Sequence, residues 1–599
     1  MKIPWSISTT VRAPERVREF LRILKILENQ KFDKKNQVKY QILLIQEKLY
    51  KPTKVPFDFH KYYLTSEPMP YEIAEKLFSM QDYEDPPMRG RQSANPLCKL
   101  GFAIAREGLD LIKITKLGNE FLEGNYDIGF IFFKSLLKLQ FPNPWSEDFS
   151  EKRGFDIMPF VATMQLIYRL NKKSLKTGMN KTEFSIFVPT LINADQIDSY
   201  IDKILNFREE KDKEAFLDKY LKTFFETDMV SAQKRNSLFD YGDNTMRYFR
   251  LTRYFRVKTE PLGQHWIIDL EPMRKEEINQ LLELFDGKSN KSLTNIEKYI
   301  NYISDISQPE LPWEEKKNLR KIIFALRKII LEIAEKEKVD IDPKDNEFLF
   351  SNISELNKES LEAYISKLRT INLNIKEKIK KRLIKKDESK LIELIGLITE
   401  KKKLKKIKPE EFEKIITEAF EVINDEILIK PNYPVDDDGE PIIHAPGNKP
   451  DVECYYQTFK AICEVTLNTT KLQWVQEGQP VMRHLRDFEI QNQEKEKEIF
   501  CIFIAPHIHN DTYSVFWISV KYEYDGKPQK IIPITTEQFI KILETLLGLI
   551  RAGKKFSHIN LKLLCNDVIN KTKSLSSYSD WLDSIDESIE SWKSKVAAT

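Results

Sequence analysis

Two acidic residues, Asp451 and Glu464, stand thirteen positions apart in a segment that the sequence predicts to be a β-hairpin. Asp451 follows Pro450 in a turn and Glu464 closes the second strand, so antiparallel pairing brings both carboxylates to one end. Two carboxylates at one point repel each other unless a cation lies between them, and hard oxygen ligands suit Mg²⁺. Strand alternation leaves the backbone carbonyl of Val465 as a further ligand. The segment therefore predicts a magnesium site.

This arrangement matches the core of the PD-(D/E)xK nucleases. In that core a Lys two residues after the second acid positions the attacking water, whereas here Thr466 holds the place. Further candidates flank the hairpin: Glu477 and His484 follow at the start of the next predicted helix, and Glu413 lies on the helix before the first strand. On pattern alone, the alternative is a surface Asp in a turn, a Glu at a strand end and a structural His.

The elements that must position these side chains begin after Pro409. Helices are predicted at 410–423, 480–496 and 536–550, and strands at 452–459, 461–466, 499–505 and 514–520. Strands that alternate with helices indicate an α/β domain, which we place at residues 406–599.

The rest of the chain reads as mostly helical. Helices at 14–28, 38–49 and 71–80 precede two short strands, 102–105 and 109–114, and then a helix with Thr115 as its N-cap. Helices followed by a small ribbon are typical of a winged helix, and a related order recurs, with helices between 196 and 225 and strands at 255–258 and 265–270. The sequence thus predicts a multi-domain α+β protein with winged-helix-like subdomains at 1–145 and 146–285 and a helical linker at 286–405.

Composition excludes several classes of protein. The chain has 599 residues, 41% of them hydrophobic and 11% aromatic, which is too apolar for a largely disordered protein. We expect no membrane span, because the uncharged apolar runs are short, and no secretory signal is visible. Five cysteines without C-x-x-C spacing favour reduced thiols in a cytoplasmic protein.

Positive charge is concentrated in one segment. The net charge is only +3, but residues 376–408 hold fourteen Lys and Arg against five Asp and Glu. Such a run is either a solvated helical linker or a linker that lies along phosphates, and the sequence leaves both open.

A family resemblance is carried by the block HAPGNKPDVECYYQTFKAICEVTLNTTKLQWVQEGQPVMRHL. It closely resembles the nuclease domain of the AlwI-like Type IIS restriction endonucleases, a family that includes the large subunits of site-specific nicking endonucleases. IFCIFIAPHI, GFAIAREGLDLIKITKLGNEFL and TMRYFRLTRYF also resemble family segments, so the similarity covers most of the chain. The family motif reads P-D, E-V-T, E and R-H, so Thr466 is shared with it. The resemblance implies Asp451 and Glu464 as metal ligands and Glu477, His484 and Glu413 as further active-site residues.

The resemblance implies Mg²⁺-dependent hydrolysis of a DNA phosphodiester bond. Without the usual Lys, three candidates for positioning the water stay open: a second metal at Glu477, proton transfer by His484, or Lys471. DNA contacts are expected from a loop that resembles the family's DNA-contacting region and from arginines spaced three apart on a helix. These residues are Arg89, Arg91, Gln92 and Lys99 on the loop, and Arg247, Arg250 and Arg253 on the helix.

Two functions compete. The first is a Type IIS-like endonuclease that binds an asymmetric site in double-stranded DNA and cuts at a fixed offset. One active site cuts one strand, so double-strand cleavage needs a second catalytic domain, from a small partner subunit or from a transient homodimer formed through the nuclease domain. The second is a DNA-binding regulator with a non-catalytic, nuclease-like dimerisation module. The intact acidic set argues against the regulator, since an inactive site has no need of buried carboxylates.

Overall fold

The fold is mostly helical, with a mixed five-stranded sheet near the C-terminus. It is known from a computed structural model that describes residues 2–598. Residues 9, 12, 57, 60, 61, 63–67, 110, 125, 145, 147, 260–265, 294, 385–387, 401–403, 405, 406, 424–427, 437, 438, 448, 493–496, 555 and 556 lie outside the described set. The predicted α+β class with a helical N-terminal part is therefore confirmed.

The N-terminal body consists of helices and two small antiparallel sheets around one large apolar core, with a second, smaller apolar cluster formed by residues between 42 and 78. Its helices are α1 (Val17–Lys25), α2 (Lys34–Gln46), α3 (Tyr71–Ser79), α4 (Pro86–Lys99), α5 (Lys116–Glu123), α6 (Ile128–Lys138), α7 (Pro159–Lys173), α8 (Lys181–Thr190), α9 (Ile197–Glu209), α10 (Lys213–Phe225), α11 (Ala232–Leu251), α12 (Lys275–Leu284) and α13 (Ile296–Ile303). Its strands are β1 (Ala103–Ile104), β2 (Lys113–Ile114), β3 (Met179–Asn180), β4 (Phe255–Thr259) and β5 (Trp266–Leu270).

Both predicted ribbons are present in this body. The first consists of β1 and β2, which are antiparallel and only two residues long. It leads into α5, whose N-cap is Thr115 as predicted, because its hydroxyl accepts from the Gly118 amide at 3.0 Å. The second ribbon pairs β4 with β5, and β3 adds a third strand that the sequence did not indicate.

A helical segment connects this body to the C-terminal unit. It contains α14 (Lys316–Glu337), α15 (Pro343–Leu349) and α16 (Lys358–Ile384), which bury a separate core. The next helix, α17 (Glu388–Thr399), buries Leu391, Leu394 and Ile398 in the core of the C-terminal sheet instead. Part of the basic run at 376–408 lies outside the described residues.

The C-terminal unit surrounds a sheet in the order β10-β9-β8-β7-β6, from β6 (Leu428–Pro431), β7 (Val452–Tyr455), β8 (Phe459–Val465), β9 (Glu498–Ala505) and β10 (Ile531–Thr535). The first three strands are antiparallel, whereas β8, β9 and β10 are parallel. Its helices are α18 (Pro409–Ile423), α19 (Gln479–Gln491), α20 (Asn510–Lys521), α21 (Thr536–Arg551), α22 (His558–Lys571) and α23 (Tyr578–Ala598). The carboxyl ends of the three parallel strands meet at one edge.

One predicted strand is wrong. Residues 514–520 lie in α20, because Tyr513, Phe516, Trp517 and Val520 recur at helical spacing and are all buried. The sequence did not predict β6 or β10. The first is short, and the second contains Pro533, which is unusual inside a strand.

The cysteines and the helices agree with two expectations about composition. All five cysteines are buried free thiols. None of the helices in the described ranges combines the length and apolar character that a membrane span requires.

Candidate active site

The hairpin of β7 and β8 brings the two predicted metal ligands together. Val452 pairs with Cys463 in the antiparallel register, so Asp451, one residue earlier, stands opposite Glu464 on the same face. The Asp451 carboxylate accepts a hydrogen bond from the backbone amide of Val465 at 2.8 Å. Glu464 is buried at 5% exposure, whereas Asp451 keeps part of its surface accessible. The site thus lies at the carboxyl end of β8.

Burial and mutual repulsion make these carboxyl groups hard to ionise. Burial raises the pKa of Asp451 well above its ordinary value, and the nearby charges of Glu464 and Glu477 raise it further. The pKa of Glu464 is also raised well above the usual range, first by burial and then by Glu477 and Glu413. A positive charge between them would reverse this effect, because an opposite charge favours the ionised form.

Glu413 and Glu477 complete the acidic set. Glu413, on α18, is buried and accepts from the Ala445 amide at 2.9 Å, and burial together with Asp451 raises its pKa to about 9. Glu477 lies in a π-helical turn, Trp474–Gly478, and is partly exposed. Burial raises the pKa of Glu477, while a hydrogen bond to Thr466 lowers it. Thr466, which replaces the usual Lys, therefore contacts one of the acids.

His484 is hydrogen-bonded through both ring nitrogens. Its Nδ1 lies 2.8 Å from Glu464 Oε1, and its Nε2 lies 3.2 Å from the Gly447 carbonyl oxygen, to which it donates. Burial lowers the pKa of His484 and raises that of Glu464. The imidazole thereby fixes the orientation of Glu464.

Gln473 supports the site and was not found from the sequence. It is fully buried, and its amide donates to the carbonyl oxygens of Asn468 at 2.6 Å and His507 at 2.9 Å. Its oxygen accepts from the His509 amide at 2.8 Å. These bonds tie the segment after β8 to the loop after β9. Gln473 stands between Leu472 and Trp474 and belongs to no recognisable motif, so its role is visible only from its burial and its hydrogen bonds in the structure.

The donor set suits a hard divalent cation. Among the described residues, no three or more His, Cys, Asp or Glu side chains form a ready-made metal cluster. Mg²⁺ does not need one, since it keeps several waters and is commonly bound by one or two carboxylates. Asp451 and Glu464, which face each other beside the Val465 backbone, meet that requirement.

The predicted DNA-contacting residues 89–99 lie on α4 and not on a loop, because Pro86 and Pro87 start a helix that continues to Lys99. Arg91 donates to Asp85 at 2.6 Å and to Gln37 at 2.9 Å, and the Arg89 guanidinium lies 4.8 Å from the Tyr83 ring centroid. Neither arginine is fully exposed.

Lys99 is enclosed within the body. It is 6% exposed, its ammonium donates to the Ser6 carbonyl at 3.2 Å, and it lies 5.1 Å from the Phe149 ring centroid. Burial lowers its pKa to about 8. The ammonium is thus engaged by groups of the protein itself, although Lys99 also lines the cavity beside this helix. Its contact with DNA stays a prediction.

A cavity of about 400 Å³ opens beside α4. Arg91 and Gln92 line it together with Asn95 and Arg106, two residues that the sequence analysis did not single out. Arg91 and Asn95 are four residues apart and so share one face of the helix. This four-residue spacing was the feature of the sequence that could have identified Asn95 as a neighbour of Arg91.

The three arginines near α11 do not share one exposed helix face. Arg247 pairs with Asp243 at 2.9 Å on its own helix. Arg253 lies beyond the helix end, with a φ of 64°, and pairs with Asp127 at 3.2 Å. Arg250 is 8% exposed and donates to the carbonyl oxygen of Pro441 in the C-terminal part. The predicted common face is therefore wrong, because the helix ends at Leu251 and Arg250 points inward.

Comparisons with known proteins give one family and two related structures. A family model described as AlwI restriction endonuclease matches residues 98–542, well over half of the chain. No curated protein matches. The chain is similar to the small subunit (R.BspD6I2) of the heterodimeric restriction endonuclease R.BspD6I, at 22% identity over 33% of this chain and 98% of that one, with a TM-score of 0.28. It is also similar to the restriction endonuclease FokI, at 11% identity over 92% and 97%, with a TM-score of 0.21.

Proposed function

Because the chain belongs to the AlwI restriction endonuclease family, we propose that it is a Type IIS-like enzyme that hydrolyses DNA at a fixed offset from an asymmetric site. Family membership makes it a site-specific deoxyribonuclease with DNA as substrate. The observation that supports the rest is the register that sets Asp451 opposite Glu464. Burial raises the pKa of both carboxyl groups, and the charge of Glu477 raises both further.

Asp451, Glu464 and the Val465 carbonyl are the proposed ligands of Mg²⁺. When bound, Mg²⁺ would lower the pKa of a water molecule and stabilise negative charge on the phosphate. His484 orients Glu464 through its 2.8 Å hydrogen bond. Glu477 is the proposed proton acceptor, since its pKa is raised, it is partly exposed, and Thr466 holds it. Lys471 is exposed and less suited to this task.

The N-terminal body is the proposed DNA reader. We assign this body two winged-helix-like subdomains, 1–145 and 146–285. The predicted helical linker, 286–405, and the predicted PD-(D/E)xK-type nuclease domain, 406–599, follow it, and packing places the start of the C-terminal unit earlier, near Glu388. Arg91, Gln92 and Asn95 face a cavity beside α4, where arginine and amide side chains suit the base edges of the major groove. Arg89, Arg247 and Arg253 remain candidates for backbone contacts.

One such site hydrolyses one strand. The chain by itself is then a nicking enzyme, and double-strand cleavage requires a second catalytic domain. We propose that either a small partner subunit or a transient homodimer formed through the nuclease domain supplies it. Both arrangements leave Asp451 and Glu464 in place and add an equivalent site for the other strand.

Supercoiled plasmid incubated with purified protein and Mg²⁺ tests this proposal. An open-circle product indicates nicking and linear fragments indicate double-strand cleavage, and chelation of the metal should stop either reaction. Unchanged plasmid, together with specific DNA binding, would contradict the hydrolase and support the regulator with a non-catalytic nuclease-like module. Sequencing the product ends gives the recognition site and the offset.

A further inference from the structure

Residues 440–450, here called the bridging loop, connect the N-terminal body with the active site. The loop starts beside α11 and ends at Asp451, and residue 448 lies outside its described part. Pro441, which contacts α11, and Asp451 are only ten positions apart. A displacement at one end of so short a segment is transmitted to the other.

The first end of the loop is fixed to the N-terminal body. Arg250 donates to the Pro441 carbonyl, and Ile442 is buried in the core of that body at 5% exposure. Glu440 forms an ion pair with Lys414 on α18, at 2.9 and 2.7 Å. Lys414 is next to Glu413 in α18. The ion pair therefore attaches the start of the loop to the helix that carries this active-site acid.

The second end of the loop contacts the active-site residues themselves. The Ala445 amide donates to Glu413 at 2.9 Å. The Gly447 carbonyl accepts from His484 Nε2 and from Arg483, both at 3.2 Å. The loop therefore sets the position of Glu413 and, through His484, that of Glu464.

The surroundings of Arg250 hold its charged side chain in place beside the loop. It is buried, and the carboxylates of Asp436, Glu410 and Glu440 oppose the lowering of its pKa by burial. Its helix is held to the body by a hydrogen bond from the Tyr248 hydroxyl to the Val11 carbonyl at 3.0 Å. A movement of the body must therefore carry Arg250 with it.

We propose that Arg250 is a positioning residue that couples the N-terminal body to the active site by holding the bridging loop at Pro441. The inference rests on the proposed nuclease function and deepens it. It gives the structural connection through which DNA binding by the N-terminal body would affect the position of the active-site carboxylates. Arg250 acts through the loop and touches neither DNA nor metal.

Arg250→Ala tests the coupling on the full chain with cognate DNA and Mg²⁺. We expect kcat to fall at least about tenfold, because small displacements of positioned groups cost that much or more, while the Kd for cognate DNA stays within about twofold. Arg250→Lys restores part of the rate, since it keeps a donor and the positive charge. Arg235→Ala is the control: it lies on the same helix, pairs with Glu214 at 2.7 Å and should leave kcat unchanged.

Hydrogen exchange provides a readout that does not depend on activity. In Arg250→Ala the amides of residues 442–445 and of Gly447 should exchange faster, while those of β8 and β9 keep the wild-type rate. Wild-type cleavage by Arg250→Ala, unchanged loop exchange, or a loss confined to DNA affinity would each overturn the proposal. An inert wild-type protein whose loop exchange still depends on Arg250 would refute the nuclease function and leave the coupling intact.

Discussion

At the residue scale, the site is a set of acids that the fold holds closer than their charges favour. Asp451 and Glu464 face each other across the hairpin. Glu477 lies near enough to raise the pKa of both, and Glu413 raises that of Glu464. Buried acidic groups with strongly shifted pKa values are common at sites that bind a cation or transfer a proton. The chemistry therefore depends on which of them bind metal and which handle protons.

Asp451→Ala and Glu464→Ala should each abolish cleavage and leave specific DNA binding measurable, since each removes a proposed metal ligand. The measurement is plasmid nicking beside a gel-shift titration. Glu453→Gln is the matched control, because Glu453 lies in the same hairpin and is ion-paired with Lys430 at 3.0 Å. Full activity in either alanine variant contradicts the metal assignment.

The raised pKa of Glu413 predicts a pH-dependent stability of the metal-free protein. Its pKa is about 9 in the fold against 4.5 ordinarily, so between these values the folded state holds a proton that the unfolded state has lost. The free energy of unfolding should therefore decrease as pH rises from about 4.5 to about 9. Glu413→Gln should weaken this decrease in chelator-containing denaturant titrations at pH 6 and pH 8.5. An identical slope in the variant would show that Glu413 is ionised in the folded protein.

At the element scale, close helix packing positions the proposed reader. Gly90 lies on α4 where a Cβ atom would come 2.0 Å from the Gln37 carbonyl oxygen on α2. The atoms of Gln37 that the Cβ would meet all belong to the helix backbone, so relief requires the two helices to separate. The orientation of Arg91 and Asn95 toward the cavity depends on this contact.

Gly90→Ala should lower the free energy of unfolding by about 3 kcal/mol, because overpacking of a tight contact costs amounts of this order. Specific DNA binding should weaken with it. Gly396→Ala is the control on α17, where nothing lies within 4 Å of the added Cβ, and it should stabilise by about 0.5–1 kcal/mol through helix propensity. Thermal unfolding and gel shift measure both variants. Equal stability of the two would contradict the packing argument.

At the scale of the whole molecule, the boundary of the nuclease unit matters for dissection. The predicted linker extends to residue 405, yet α17 buries Leu391 and Leu394 in the C-terminal core. Helix α16 instead packs with α14. We therefore propose that the C-terminal unit begins near Glu388.

A fragment of residues 1–384 should fold and retain sequence-specific DNA binding without cleavage. A fragment that ends near residue 400 should bind equally but self-associate, because it exposes the apolar face of α17. Sedimentation and gel shift on the two fragments separate these outcomes. Loss of specific binding by a folded 1–384 fragment would place part of the reader in the C-terminal unit.

The sequence by itself determined the local features of this protein. Turn residues and alternation indicated the hairpin with Asp451 and Glu464 at one end, and Thr115 marked a helix start, because such signals act over a few residues. Glu477, His484 and Glu413 were candidates from their places beside the hairpin, and the family resemblance implied their active-site roles.

Only the tertiary structure decided which side chains meet and which are buried. It placed 514–520 in a helix, enclosed Lys99, turned Arg250 toward Pro441 and brought Glu413 within reach of Asp451. These outcomes depend on packing between segments that are far apart in the chain, such as Arg250 and Pro441, which are separated by 191 positions. Periodicity along the chain tells which face of an element is apolar, but it does not tell which other element covers that face.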